Sequence, residues 1–271
     1  MQKNVIINGN CISEMKTMSS NSIGLIVADP PPCYIGADRT LFQGYHDDED
    51  GKPFETWEEY EKFSYQWLTA CHRILKPNGS IWIMGGMKYI HTVGYIMQKI
   101  GFYLINEVVW QKNSSSPNFK GKRLCNSHEI LLWATKNKNF RFTFCYDVAK
   151  VLNANTINES GNNICKSMTS VWYFPVCSAK EVIKEENGKR LYMAQKPQEL
   201  LERMILISSI KGDTILDPFG GTMTTAAAAK KLGRNYIMIE QNKKYCQFGE
   251  KRLSQICCEE EISINAGGNK R

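Results

Sequence analysis

The chain has 271 residues, of which 42% are hydrophobic and 23% charged, so it can bury a sizeable core. This composition excludes a disordered or fibrous protein and fits one large α/β domain with insertions, or one domain with a small appendage. The net charge is +7, and most of the excess lies between positions 111 and 150, where eight Lys and Arg residues stand against two acidic ones. A basic excess confined to one segment favours a polyanionic partner.

The ten cysteines are scattered without a CxxC pair, which predicts reduced thiols and neither a disulfide framework nor a metal site. The N-terminal sequence MQKNVIINGN has no signal-peptide apolar core, and no apolar run reaches membrane length. We therefore expect a cytoplasmic protein without a membrane partner.

The N-terminal part of the chain predicts two strands separated by a helix. Val5 to Ile7 is a short apolar strand, and the sequence CISEMKTM that follows has apolar residues at helical spacing. Ile23 to Asp29 is apolar without alternation, as in a strand covered on both faces. Pro30 to Pro32 prevent a helix or a ladder from continuing. This places Asp29 at the carboxyl edge of a sheet, where open α/β sheets bind ligands.

The middle of the chain predicts a loop, two helices and three strands. Positions 35–53 form the loop, and Thr56 to Glu59 are a capping box at the start of a helix. Its apolar face consists of Tyr60, Phe63, Trp67, Cys71 and Ile74. SIWIMGG is the next strand, a helix runs from about Lys88 to Lys99, and FYLINEVVW and HEILLWAT are two further strands.

The signal is weaker from position 137 to 188, where short strands are predicted at Phe140 to Phe144 and Val171 to Val176. A helix follows with Pro197 in its first turn. The last predicted helix runs from about Asn242 to Ile256.

The stretch Asp213 to Glu240, DTILDPFGGTMTTAAAAKKLGRNYIMIE, reads as a strand, a glycine turn, a helix and a second strand. This is half of a nucleotide-binding unit. Met223 stands where a third glycine is often found, so a zwitterionic or carboxylate-bearing nucleoside fits better than a pyrophosphate. Asp217 is predicted to face its ammonium group, Thr222 to cap the helix and Glu240 to accept hydrogen bonds from ribose hydroxyls. An ordinary tight strand–helix turn is the alternative.

A second motif, Asp29-Pro30-Pro31-Pro32-Cys33-Tyr34, follows the other buried strand. A carboxylate beside carbonyl-exposing prolines suits an exocyclic amino group. Asp29 can accept one N–H proton and a proline carbonyl the other, which leaves the nitrogen lone pair exposed as a nucleophile.

Together these motifs resemble the β group of S-adenosylmethionine-dependent amino DNA methyltransferases, in which an Asp-Pro-Pro-Tyr motif precedes the cofactor motif. The resemblance covers about residues 4–256 and is closest to the GANTC-type adenine methyltransferases, the CcrM-like and HinfI-like enzymes. The segments that carry it are SIGLIVADPP, ACHRILKPNGSIWIMG, PNFKGKRLCNSHEILLWAT, SVWYFPVCSAKE, QKPQELLERMI and AKKLGRNYIMIE.

The resemblance implies a circularly permuted α/β fold of the class I methyltransferase type, with a doubly wound, mostly parallel, Rossmann-like sheet. Residues 1–258 would form the methyltransferase domain, with a target-recognition insertion within 111–190, and residues 259–271 a disordered tail. The implied cofactor is S-adenosyl-L-methionine, and the implied partners are double-stranded DNA and a second copy in a homodimer.

The resemblance also implies roles for individual residues. Asp29 would bind the target amino group, Pro30 and Pro31 would shape its pocket, and Pro32 and Tyr34 complete the catalytic set. The cofactor-binding set is Asn10, Cys11, Asp29, Gln195, Lys196, Pro197, Asp217, Phe219, Gly221, Thr222, Thr224 and Glu240. The DNA-binding set is Lys112, Asn118, Phe119, Lys120, Lys122, Arg123, Asn126 and His128.

The sequence departs from the family pattern at several positions. Pro32 replaces the motif's aromatic residue, which stacks on the flipped base, and Asn10 replaces a usual Asp. YMAQKP replaces a version with His and Thr. We also expect the chain to lack the family's extra C-terminal DNA-binding region. The predicted function is methylation of adenine N6 in duplex DNA. The alternatives are a weak or inactive DNA-binding relative, or a methyltransferase acting on cytosine N4, RNA or protein.

Overall fold

The structure, a computed structural model, describes residues 2–33, 35, 54–115, 121–154, 167–177, 181–185, 187–192 and 194–257. Its strands are β1 (Val5–Asn8), β2 (Ile23–Ala28), β3 (Leu75–Gly85), β4 (Tyr103–Gln111), β5 (His128–Thr135), β6 (Val171–Tyr173), β7 (Thr214–Asp217) and β8 (Asn235–Glu240). Its helices are α1 (Cys11–Thr17), α2 (Trp57–Ile74), α3 (Ile90–Ile100), α4 (Tyr146–Ala154), α5 (Gln198–Ser208), α6 (Thr224–Lys231) and α7 (Lys243–Ser254).

The strands form one sheet in the order β1-β8-β7-β2-β3-β5-β4-β6. β5 is antiparallel to both of its neighbours, and the other neighbouring pairs are parallel. The predicted mostly parallel sheet is therefore confirmed. Because β1 pairs with β8, the first and last strands of the chain lie side by side, and the glycine turn after β7 comes to the middle of the sheet.

β2 and β7 are neighbours in the sheet. The strand that follows β2, β3, lies on the side away from β7, and the strand that follows β7, β8, lies on the side away from β2. The connecting helices α2 and α6 pack in different apolar clusters, one on each side of the sheet. This is the doubly wound arrangement, and the reversal between β2 and β7 opens a crevice at their carboxyl ends.

β2 is covered on both faces, as its continuous apolar sequence predicts. Ile26 packs in the cluster that contains α1, α2 and α3, whereas Val27 packs in the cluster that contains α5 and α6. In the second cluster the ring of Trp82 stacks on that of Trp133 with 4.9 Å between centroids. Asp29 therefore follows a strand that is fixed from both sides.

The predicted capping box at the start of α2 is confirmed. Thr56 Oγ1 accepts from the Glu59 amide at 3.2 Å, and Glu59 Oε2 accepts from the Thr56 amide at 3.4 Å. The predicted apolar face is buried at Tyr60, Trp67 and Cys71, all with 0% exposure. These contacts hold α2 against the sheet beside the crevice.

Between β5 and β6 the predicted strand at Phe140–Phe144 is wrong, and helix α4, which the sequence did not predict, follows it. Alternating aromatics mimic a strand there, but they cover Trp133 from an irregular segment. Phe142 and Phe144 lie 5.4 Å and 5.5 Å from the Trp133 ring. β3 also begins earlier than predicted, at Leu75, and β6 ends earlier, at Tyr173.

Candidate active site

Acidic side chains collect at one edge of the sheet. Asp29 follows β2, Asp217 ends β7 and Glu240 ends β8, and because these strands are parallel their carboxyl ends meet. Glu129 reaches the same edge from the start of the antiparallel β5. The structure thus brings together three of the predicted site residues, Asp29, Asp217 and Glu240.

Asp217 is buried at the base of the glycine turn, with 3% exposure. Its Oδ1 accepts from the Phe219 amide at 2.9 Å, and its Oδ2 accepts from Thr225 Oγ1 at 2.6 Å. Burial raises the pKa of Asp217 to about 7, against the lowering effect of these two hydrogen bonds. A cation at this position is the partner that stabilises its ionised form.

Glu240 braces the glycine turn from the neighbouring strand. Its Oε2 accepts from the Gly221 amide at 2.7 Å and its Oε1 from the Asn242 amide at 2.8 Å. Its carboxylate therefore stands beside the turn, at the carboxyl end of β8. Gly221 itself has φ +49°, a left-handed conformation that favours glycine.

Asn10 and Cys11 lie at the start of α1. Asn10 caps the helix, because its Oδ1 accepts from the amides of Ile12 at 3.0 Å and Ser13 at 3.3 Å. An Asn is as good a cap as an Asp, which accounts for this departure from the family pattern. Cys11 is buried, and burial raises the pKa of its thiol to about 12, so it is neutral.

The prediction that Thr222 caps α6 is wrong. The residue before the helix is Met223, in a left-handed conformation with no side-chain cap. Thr222 Oγ1 lies 3.3 Å from Thr224 Oγ1, and Arg252 donates to the Thr222 carbonyl at 3.0 Å and to Thr224 Oγ1 at 3.1 Å. The start of α6 is therefore stabilised from α7.

Met223 takes a conformation that normally requires glycine, with φ +60° and 0% exposure. Its side chain fills the space that Gly249 of α7 leaves open, and a Cβ at Gly249 would overlap Met223 Cγ. Gly249, 26 positions further along the chain, thus makes room for a methionine at a turn position where a glycine is often found.

Gly249→Ala is expected to lower the free energy of unfolding by about 1–3 kcal/mol, the usual cost of overpacking a core. In a Met223→Gly background the same substitution costs under about 0.5 kcal/mol, because the colliding side chain is gone. Urea unfolding of the four proteins measures this coupling. Gly86→Ala is the control, since its Cβ would lie 3.8 Å from Tyr89. Equal costs of Gly249→Ala in both backgrounds contradict the prediction.

Asp29 forms an ion pair at the centre of the crevice. Lys196 Nζ lies 2.6 Å from Asp29 Oδ2 and 3.7 Å from Glu129 Oε2, and Lys112 Nζ lies 3.1 Å from Glu129 Oε1. Burial raises the pKa of Asp29 and the Lys196 ammonium partly offsets it. Burial disfavours the ammonium as well, but the carboxylates of Asp29 and Glu129 outweigh it and hold the pKa of Lys196 well above its usual range.

The sequence did not predict Glu129 as part of the site. The available signal was a His-Glu pair at a strand start, with Lys112 just beyond the preceding strand. Only the antiparallel pairing of β4 and β5, with Gln111 opposite His128, brings Lys112 and Glu129 together.

The residues before α5 are hydrogen-bonded to the segment 181–183. Gln195 Nε2 donates to the Glu181 carbonyl at 2.8 Å, and its Oε1 accepts from the Ile183 amide at 3.0 Å. Pro197 is the N-cap of α5 in an extended conformation, so the helix begins one residue later than the sequence predicts. In this arrangement a Cβ at Gly221 would lie 3.8 Å from the Tyr192 ring, so residue 192 lies over the glycine turn.

The predicted DNA-binding residues are partly described. Lys122, Arg123 and His128 are exposed, and Asn126 is half-buried with its Nδ2 donating to Met87 Sδ at 3.4 Å. Lys112 is mostly buried against Glu129, with 15% side-chain exposure. Asn118, Phe119, Lys120 and Tyr34 lie outside the described residues.

Of the described cysteines, Cys11, Cys33, Cys71, Cys177 and Cys246 are buried. Within the described ranges, three or more His, Cys, Asp or Glu side chains nowhere group as metal ligands do. In the same ranges, the helices are too short or too polar to span a bilayer.

The sheet order and the acidic strand ends define an α/β fold of the class I methyltransferase type, and solved methyltransferases share it. M1.HpyAVI in complex with SAM superposes with a TM-score of 0.62 at 23% identity, covering 92% of this chain and 98% of that one. The cytosine-N4-specific PvuII DNA methyltransferase gives a TM-score of 0.70 at 18% identity, covering 93% and 86%.

Sequence relatives identify the family. The family model described as DNA methylase matches residues 23–251. Type II methyltransferase M.HinfI of Haemophilus influenzae is 44% identical over 259 residues, which cover 93% of this chain and 69% of that protein. Type II methyltransferase M2.DpnII of Streptococcus pneumoniae is 34% identical over 255 residues, covering 93% and 90%. The chain belongs to the DNA methylase family that modifies amino nitrogens, whose methyl donor is S-adenosyl-L-methionine.

Proposed function

We propose that the chain transfers a methyl group from S-adenosylmethionine to N6 of an adenine flipped out of duplex DNA. The observation that supports this most directly is the position of Asp29 at the switch point of the sheet, beside the glycine turn of β7. The carboxylate that we propose for the amino group and the turn that we propose for the nucleoside thus share one crevice.

The residues at the turn fit the cofactor. The buried Asp217 carboxylate gains a cation if it faces the methionine ammonium, and Glu240 stands beside the turn as a carboxylate that we expect to accept hydrogen bonds from ribose hydroxyls. S-adenosylmethionine supplies an electrophilic methyl group on a sulfonium. Asp29 accepts one amino N–H of the base and a proline carbonyl accepts the other, which orients the nitrogen lone pair toward that methyl group. With the cofactor bound, the amino nitrogen would form a bond to the methyl carbon while the electron pair of the C–S bond stays on sulfur, and the nitrogen would then release one proton to solvent.

Cofactor affinity is expected to depend on pH through Asp217. With a pKa of about 7, the carboxyl is neutral below pH 7 and offers the ammonium group no charge. Affinity therefore falls by about tenfold per pH unit as the pH drops below 7. Calorimetric titration with S-adenosylmethionine between pH 5.5 and 8.5 measures this.

Asp217→Asn provides the control for that titration. It binds the cofactor more weakly at pH 8.5 and with an affinity that hardly changes with pH. Stability gives an independent check of the sign, because the folded protein holds this proton to a higher pH than the unfolded chain. The raised pKa therefore lowers the free energy of unfolding as the pH rises from about 4 to 7, and Asp217→Asn removes that contribution.

Adenine N6 is proposed over cytosine N4 because Asp, and not Ser, heads the catalytic motif. The test is transfer of a labelled methyl group to unmethylated duplex DNA, followed by digestion and mass spectrometry of the nucleosides. N6-methyladenine is the expected product, whereas N4-methylcytosine contradicts the proposal. Duplex RNA in competition distinguishes the substrate class, and saturable transfer to RNA alone excludes DNA.

The resemblance also supports GANTC as the target sequence and a homodimer as the active form. Sequencing of methylated DNA tests the first, and sedimentation of the protein with and without duplex DNA tests the second. Methylation at other sites, or a monomer at working concentration, contradicts the respective proposal.

A weak or inactive DNA-binding relative is the second candidate function, and a specific residue favours it. Pro32 stands where the motif's aromatic side chain stacks on the flipped base. Loss of base stacking is worth about 1–3 kcal/mol, which slows transfer without affecting the cofactor turn.

A further inference from the structure

Four charged side chains contact one another in a row that begins at Lys112, at the start of the predicted target-recognition insertion, and ends at Asp29. Lys112 Nζ contacts Glu129 Oε1 at 3.1 Å, Glu129 Oε2 lies 3.7 Å from Lys196 Nζ, and Lys196 Nζ contacts Asp29 Oδ2 at 2.6 Å. Their side-chain exposures are between 11% and 22%. The two positive and two negative charges balance, so removal of either end changes the pairing of the rest.

The backbone at each member of this chain is held in place. The Lys112 amide donates to the Ser127 carbonyl at 2.8 Å, and Glu129 lies within the β4–β5 ladder opposite Trp110. Lys196 stands between the buried Gln195 and Pro197 at the start of α5. A change in pairing therefore requires only rotation of the long lysine side chains.

In this state one oxygen of the Asp29 carboxylate, Oδ2, is bound by the Lys196 ammonium group. The Lys196 ammonium occupies a position beside Asp29 that we expect the target amino group to take. Its positive charge also repels the positively charged sulfonium of a cofactor bound in the same crevice. Glu129 is the carboxylate that can take this ammonium away, because it is already 3.7 Å from it. Glu129 also forms an ion pair with Lys112, which weakens its attraction for Lys196.

We propose that Glu129 is a positioning residue that releases Asp29 when DNA binds. A DNA phosphate attracts Lys112 away from Glu129, Glu129 then takes the Lys196 ammonium, and Asp29 becomes available to the target base. The ion-pair geometry couples the recognition segment to the reaction centre. This inference rests on the proposed function, since it assigns a step within methyl transfer.

Glu129→Gln separates this role from a structural one, because its effects on binding and on transfer have opposite signs. DNA binding tightens by about two- to fivefold, since Lys112 no longer has to leave a carboxylate. The rate of transfer at saturating DNA falls by at least about tenfold, because Lys196 stays on Asp29. Glu129→Asp keeps the charge and restores most of the rate. Fluorescence anisotropy and single-turnover methylation measure the two effects.

Two controls isolate the Lys112–Glu129 contact. Glu107→Gln, at an exposed position of β4, changes the net charge equally and is expected to alter affinity and rate by less than twofold. In a Lys112→Gln background, Glu129→Gln is expected to give no gain in affinity, because the contact is already lost.

The outcomes decide the proposal separately from the function. Weaker or unchanged DNA binding by Glu129→Gln, a gain that persists without Lys112, or an unchanged rate of transfer each overturns it. If the wild-type chain binds duplex DNA but transfers no methyl group, the proposed function fails. The affinity cycle then still tests the coupling of Lys112 and Glu129.

Discussion

Asp29→Asn is expected to lower the rate of methyl transfer by about 10²–10³-fold, the loss that follows removal of one preorganised transition-state hydrogen-bond partner in other enzymes. The amide still accepts one hydrogen bond, but it lacks the negative charge that stabilises the positive charge developing on the amino nitrogen. The carboxylate also makes the stronger, charge-assisted hydrogen bond. Steady-state transfer to saturating duplex DNA measures the loss.

The loss is expected in the rate and not in the fold. In Asp29→Asn the Lys196 ammonium remains near Glu129, so the midpoint of thermal unfolding changes little. Asp213→Asn is the matched control, because Asp213 precedes β7 at the opposite edge of the sheet, 3.8 Å from Lys76. It is expected to retain its rate within twofold. Activity of Asp29→Asn within threefold of wild type is incompatible with the proposed mechanism.

Pro32→Tyr is expected to raise the efficiency of transfer by about 10–100-fold. An aromatic ring at this position can stack on the extruded base, and stacking contributes about 1–3 kcal/mol per base. Position 32 is half-buried and lies three residues beyond Asp29. The larger side chain is therefore expected to be accommodated without overpacking the core. kcat/KM for duplex DNA measures the gain.

Pro32→Leu controls for the loss of the proline ring, because it adds apolar volume without an aromatic face, and no comparable gain is expected. The same assay decides between the two candidate functions. If wild type and Pro32→Tyr transfer equally well, the weak or inactive alternative is wrong. If only Pro32→Tyr transfers, the wild-type chain is a DNA-binding relative.

Much of the fold could be predicted because its signals are local. Continuous apolar runs bounded by Pro and Gly identified β2 and β7, and the Thr56 capping box fixed the start of α2. The Phe140–Phe144 strand failed for the same reason, since alternating aromatics carry a local strand signal whatever they pack against. In the structure their partner is Trp133, which no local pattern names.

The candidate site was predictable where a residue's place depends on the end of its own strand. Asp29, Asp217 and Glu240 each follow or end a buried parallel strand, so one edge of the sheet collects them. The pairing of Glu129 with Lys196 was not predictable, because 67 positions separate them and a recognisable spacing is absent. The packing of Met223 against Gly249 was not predictable for the same reason.

The sequence by itself determined the class of protein, the two motifs and the strand ends at which they stand. These depend on hydrophobic runs, glycine and proline, whose effects act within a few residues. Only the tertiary structure decided that Met223, and not Thr222, is the N-cap residue of α6, and that Asp29 is paired with Lys196. Those outcomes depend on side chains brought together by strand order, because ion pairs and packing act through space over a few ångströms.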